Sequence, residues 1–129
     1  MRIIQVGTDR LSIPPRFGGA YETYIYGISR TLARMGHEAH VISFDNYERE
    51  YEEDGIIYHT FSLDSPLSKI LSKCLGLIDV VLFSYNDLDY ASPEERIGIL
   101  HEIGRVLKKG DSFIFSSHNL YSITRLLKL

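Results

Sequence analysis

The stretch SIPPRFGGAYETYIYGISRTLARMGHEAHVI, Ser12 to Ile42, sets two glycines, Gly18 and Gly19, directly before a helical pattern. Glycine lets backbone come close to a ligand, and a helix N-terminus favours an anion. Arg16 lies just before the pair and can add a positive charge, and Glu22 lies just after it. The group reads as a cradle for a phosphate, or for a sugar or nucleotide that carries one. A helix end contributes only about 0.3–1 kcal/mol to such binding, whereas millimolar affinity already needs about 4 kcal/mol. The competing reading is that Gly18 and Gly19 only shape the turn into the helix.

Other chemistry-bearing residues are scattered. Tyr85 and Asn86 close the apolar run DVVLFSYN and are followed by Asp87 and Asp89, a pair of acids of the kind that loops usually leave solvated. SSHN, Ser116 to Asn119, follows another short apolar run, at a strand end where α/β proteins bind ligands. A Ser-His nucleophile would also need an orienting group and an oxyanion hole, which adjacency in sequence does not supply. His37, His40, His59 and His101 lack the spacing of paired ligands on one helix, so no metal site is expected. Cys74 stands alone, which excludes an internal disulfide and a multi-cysteine metal site, and it reads as a small buried apolar residue.

The elements that must position these residues follow from patterning. RIIQVGT, Arg2 to Thr8, is a short buried strand, and a helix starts near Ala20. Tyr21, Tyr24, Ile25, Ile28 and Leu32 are spaced for one buried helical face, and Gly36 stops the helix. EAHVISF, Glu38 to Phe44, is the second strand. Asp45 to Gly55, with six acids and one arginine, reads as a solvated loop or a strand end, and Ile56 to Phe61 as the third strand. Ser65-Pro66 opens a short helix that ends at Gly76, and Asp79 to Asn86 is a fourth strand buried on both faces. Ser92, Pro93 and Glu95 form a capping-box signature for a helix with Ile97, Leu100, Ile103 and Leu107 inward, Lys108 and Lys109 in its last turn and Gly110 as its stop. Ser112 to Ser117 is the fifth strand, and LYSITRLLKL a final amphipathic turn or two of helix.

Strands that alternate with helices give a parallel sheet with helices on both faces. Right-handed crossovers and a reversal after the first strand predict an α/β, Rossmann-like, three-layer sandwich with five parallel strands in the order 3-2-1-4-5. The 129 residues are about one domain, 44% hydrophobic and 24% charged, an ordinary globular composition. A net charge of −3 speaks against a nucleic-acid partner, since phosphate backbones need clustered Lys and Arg. No apolar run approaches a transmembrane span, and the N-terminus lacks a signal-peptide core. A cytoplasmic setting is expected. One Gln, one Cys and two Met beside many Ile, Tyr, Glu and Arg hint at a thermophilic source.

On RIIQVGTD and SIPPRFGGAYETYIYGISRTLARMGHEAHVIS, the first half, residues 1–78, resembles the N-terminal lobe of family-4 glycosyltransferases of the GT-B fold. The resemblance is strong to about Asp45. It implies that the Gly18-Gly19 loop lies beside the diphosphate of a nucleotide-sugar donor, with most donor contacts made by a second lobe. On DVVLFSYNDLDYASPEERIGILHEIGRVLKKGDSFIFSSHNL, about Asp79 to Leu120, the second half (residues 79–129) resembles class I S-adenosylmethionine-dependent methyltransferases. That resemblance places Tyr85 and Asn86 where the family lines its site. The Gly-rich cofactor loop of that family is missing, because Gly7 stands alone after the first strand. Asp45 follows the second strand, where that family has its ribose-binding acid, and otherwise reads as a surface Asp. The two halves suggest a chimera of two Rossmann-like families or a truncated fusion.

Three readings follow. The first is a glycosyltransferase N-lobe-like domain, catalytically incomplete, with residual nucleotide, sugar or phosphate binding at Gly18, Gly19, Arg16, Glu22, Tyr85 and Asn86. The second is an S-adenosylmethionine-dependent methyltransferase-like domain. The third is a non-catalytic dimeric scaffold. No catalytic residue, resident cofactor or metal is assigned, and whether the chain is an enzyme stays open. A homodimer through the edge of the fifth strand or the C-terminal tail is expected, as is a glycosyltransferase C-lobe on a separate chain.

Overall fold

The computed structural model describes residues 1–7, 11–62, 78–83 and 91–116. Its elements are β1 (Arg2–Val6), α1 (Ala20–Arg34), β2 (Glu38–Phe44), β3 (Arg49–Glu53), β4 (Ile56–Phe61), β5 (Ile78–Phe83), α2 (Pro93–Val106) and β6 (Leu107–Phe115). They form an α/β fold with one six-stranded sheet in the order β3-β4-β2-β1-β5-β6. Every pairing is parallel except β3 with β4. Without β3, the order β4-β2-β1-β5-β6 is the 3-2-1-4-5 order read from the sequence. The helix expected at Ser65 to Gly76, the end of the fourth strand with Tyr85 and Asn86, and the C-terminal tail lie outside the described residues.

Among the described residues, the two helices cover opposite faces of the sheet. Val41 of β2 packs with Ile25 of α1 and with Ile13, Ile56 and Tyr58. The next residue, Ile42, packs with Ile4, Val6, Val81 and Phe83 beneath Ile103 and Val106 of α2. Successive strand side chains point to opposite faces, so adjacent residues of β2 enter different cores. This is why apolar residues stand side by side in these strands, Ile3 with Ile4 in β1 and Val41 with Ile42 in β2.

Four expectations are corrected. Arg49–Glu53 is an antiparallel edge strand and not a solvated loop. Its cause is the Asp54-Gly55 turn, where both residues have positive φ, +54° and +75°. A two-residue turn with both φ values positive matches the twist of an antiparallel pair, and Asp-Gly favours it. Tyr51 then pairs with Tyr58 at a ring separation of 5.0 Å, and the Arg49 guanidinium lies 4.6 Å above the Tyr51 ring. The acids stay at the surface because they lie on an edge.

The second correction concerns the end of α2. The Ser92 cap forms as read: its hydroxyl accepts from the Glu95 amide, and the Glu95 carboxylate accepts from the Ser92 amide. The helix nonetheless ends at Val106, and Leu107 to Gly110 already belong to β6. The Lys108 ammonium pairs with the Asp79 carboxylate on β5, which draws the chain out of the helix and into the sheet. Asp79 also accepts from the Arg2 amide, so one carboxylate ties β5 to both of its neighbours.

The last two corrections concern helix faces. On α1, Glu22, Ile25 and Ser29 are buried, while Tyr21 and Tyr24 face solvent. On α2, Ile103 and Val106 are buried, while Ile97 is 70% exposed and Leu100 is also outward. Apolar residues stand on more than one side of each helix, so spacing alone admitted a rotated face. We expect Ile103→Ala to cost about 2–5 kcal/mol in chemical denaturation, and Ile97→Ala to stay within about 0.5 kcal/mol. Equal losses would return the buried face to Ile97.

Candidate functional site

The parallel strands end on one side of the sheet, and the connection from β1 to α1 crosses that side. Gly7, just past β1, donates its amide to the Ile42 carbonyl at 2.8 Å. A Cβ at Gly7 would stand 2.7 Å from that same oxygen and 2.8 Å from the Ile13 side chain. The glycine therefore permits an approach that no other residue allows. Ile13 is fully buried and donates its amide to the Ser43 hydroxyl at 2.9 Å. Together, Gly7, Ile13 and Ser43 clamp the loop to the end of β2 before it reaches the glycine pair.

Beyond the clamp the chain comes to the surface. Arg16 and Gly18 are exposed, and Phe17 is 90% exposed. Gly18 has φ +88° and Gly19 +111°, values that side chains rarely adopt. Gly19 is the N-cap of α1, and without a side chain it offers no capping bond. Glu22, in the first turn, is only 3% exposed. A Cβ on Gly19 would lie 2.2 Å from Glu22 Oε2. The carboxylate is thus folded against the N-cap residue, at the end of the helix where negative charge is favoured.

Of the six residues named from the sequence, Arg16, Gly18 and Gly19 lie along this exposed turn, and Glu22 packs against Gly19. Tyr85 and Asn86 lie outside the described residues. Glu22, expected near a ligand, is buried against Gly19 in the first turn of α1. Sequence reasoning passed over Phe17, whose position next to two glycines is the signal that could have drawn attention to it. Ser43 was missed too, since a serine inside an apolar strand carries no distinctive pattern.

Other candidates are placed elsewhere. Asp45 Oδ1 accepts from the Asn46 amide at 2.7 Å, and its other oxygen faces Arg49 at 3.6 Å. Its carboxylate therefore serves the turn into β3. Buried Gln5, Ser29 and Tyr58 have side-chain polar atoms without a hydrogen-bond partner, on the face of the sheet under α1 and away from the strand ends. Burial also pushes the Tyr58 phenol well above its ordinary pKa, so it stays neutral. Among the described residues no group of three His, Cys, Asp or Glu could hold a metal ion, and no helix is long and apolar enough to cross a membrane.

No protein-family model, curated protein or solved structure matches the chain.

The two glycines make different demands. At Gly18 an added Cβ meets nothing within 4 Å, whereas at Gly19 it meets the Glu22 carboxylate and Leu11. We expect Gly18→Ala to cost about 1 kcal/mol, the backbone penalty alone. Gly19→Ala should cost about 2–3 kcal/mol, because the Glu22 side chain must also move. Thermal denaturation of both variants checks the order, and equal costs would show that Glu22 does not rest on Gly19.

Proposed function

We propose that the chain is a Rossmann-like ligand-binding domain of the glycosyltransferase N-lobe kind, catalytically incomplete, which takes a nucleotide sugar at the turn from Arg16 to Gly19. The observation that carries this reading is the exposed Phe17-Gly18-Gly19 turn, clamped in place at the C-terminal end of β1. There β2 lies on one side of β1 and β5 on the other, and α/β sheets bind ligands in the crevice where the strand order reverses. Phe17 offers an apolar face to a base or sugar ring. Arg16 offers a charge to a diphosphate, and the glycines leave room for close backbone approach. Glu22 limits the arrangement, because an internal carboxylate already occupies the positive end of the helix. The ligand's phosphates are then met by Arg16 and the loop backbone rather than by the helix axis.

With one cation and one ring, the affinity should be in the millimolar range, about −4 kcal/mol. Titration of the protein with UDP-glucose, followed by amide chemical shifts, should move Phe17, Gly18 and Gly19. S-adenosylmethionine added at the same concentration should leave them in place. Phe17→Ala should weaken binding by about tenfold, on the order of 1.4 kcal/mol, without a change in stability. No shift at these residues at millimolar ligand would end the proposal, and a response to S-adenosylmethionine alone would favour the methyltransferase-like reading.

A second reading, a dimeric scaffold, is favoured by β6. It is the last strand of the sheet, and Ile114 and Phe115 on it are 55% and 52% exposed. An apolar strand edge of this kind invites pairing with another chain. We expect sedimentation to show a concentration-dependent homodimer that Ile114→Lys abolishes. A monomer at high concentration would exclude it.

A further inference from the structure

A row of charged and titratable side chains crosses four strands on the α2 face of the sheet, at a distance from the glycine turn. Arg2 of β1 bonds Glu38 of β2 at 2.8 Å. Glu38 Oε1 meets His40 Nε2 at 2.9 Å, and His40 Nδ1 meets Nε2 of His59, on β4, at 2.9 Å. His59 Nδ1 meets Glu50 Oε2, on β3, at 3.0 Å. The imidazole planes differ by only 10°, with centroids 5.2 Å apart. Nitrogens as close as 2.9 Å leave no room for stacked ring faces, so the rings meet edge to edge, as an N–H···N hydrogen bond requires.

An ionised carboxylate only accepts, and a neutral imidazole carries one N–H and one lone pair. The Glu38–His40 contact needs a hydrogen on Nε2, and the His59–Glu50 contact needs one on Nδ1. Those two hydrogens are all that two neutral imidazoles hold. The atoms left facing each other, His40 Nδ1 and His59 Nε2, would then be two lone pairs at hydrogen-bond distance. With both glutamates ionised, a third proton must lie between them. Glu38 is not its owner, since its bonds from Arg2 and then His40 hold its carboxyl below the usual range.

We infer that His40 and His59 share one captured proton, and that this proton fastens the edge strand β3, through Glu50, to the interior of the sheet. The row then holds two carboxylates, one imidazolium and one guanidinium, and its charges balance. Among the described residues the other charged and titratable groups nearby are Glu52, two residues from Glu50 on the same face of β3, the Asp79–Lys108 pair beside Arg2, and the Met1 ammonium, which acts on Asp79 and faces His37 at 3.5 Å.

The fastening fails in both directions of pH. Loss of the shared proton leaves two lone pairs opposed or strips a bond from a glutamate. Gain of a second proton sets two N–H groups against each other. Burial, and next the charge of His40, hold His59 below its ordinary value, so the second proton is resisted. A histidine with a depressed folded-state pKa loses stability as pH falls through its unfolded value of about 6.5. Protection of β3 should therefore decline as pH falls below about 6.5, and decline again on the alkaline side once the shared proton is lost.

Amide hydrogen exchange of β3, corrected for the intrinsic pH dependence, tests this. We expect protection of Tyr51 and Glu53 to fall about tenfold for each unit of pKa displacement that is titrated away. His40→Gln should flatten the profile, and Glu50→Gln should move the alkaline decline to lower pH. The wild-type protein supplies an independent check that does not depend on variants folding. Nitrogen-15 spectra of its imidazoles at pH 7 should show one proton shared by the two rings, with Nε2 of His40 and Nδ1 of His59 protonated. Two neutral rings that titrate independently near the ordinary value would overturn the inference, as would a β3 profile unchanged in His40→Gln.

Discussion

The double burial of β1 is the constraint on which the rest of the structure depends. Ile3, Ile4, Gln5 and Val6 are all buried, so this strand has no solvent face. A strand buried on both faces needs a cover on each, and on one of them Ile4 and Val6 enter the core beneath α2. It also needs a neighbour at each edge, supplied by β2 and β5. Because β2 and β5 both run parallel to β1, their connections must cross the sheet, and the loops that begin those crossings emerge together at one end. The position of the glycine turn is thus a consequence of where β1 lies.

Most of this was legible in the sequence because it depends on pattern. Apolar runs of five or six residues between glycines, alternating with helical spacing, leave few topologies open. The Ser92-Pro93-Glu95 signature was legible because a cap is local chemistry: two hydrogen bonds within four residues. Asp54-Gly55 was equally local, but the acids around it masked it. Six acids suggest solvent, yet an edge strand is itself half solvated, so charge does not separate an edge strand from a loop. The inward faces of the helices were not legible, since rotation about a helix axis is decided by the opposing sheet. Ile97 and Ile103 look alike until Val81 and Phe83 select one of them.

The candidate site divides in the same way. Gly18 and Gly19 stand out because positive φ is a property of the backbone, and glycine is its usual solution. The burial of Glu22 could not be seen, because it rests on a contact between a side chain and a missing side chain. The glycine at the N-cap serves two purposes, allowing the turn and clearing the space that the carboxylate fills. The His40–His59 row was invisible for another reason. Its members are dispersed along the chain and meet only because the register of β2 with β4 sets His40 and His59 on one face.

The irregular start of β6 bears on how this sheet can grow. Ile78 is level with Leu107 and Val80 with Ser112, so the strand gains a loop of extra residues, with Gly110 at φ +93° inside it. Bulges bend and twist an edge away from regular pairing. Only Ser112 to Phe115 lie in straight register with β5. Any strand arriving at this edge finds a short ladder that ends at a kink held by Lys108 and Asp79. Such an edge can accept one partner in a fixed register, but it is a poor template for the open-ended stacking of many.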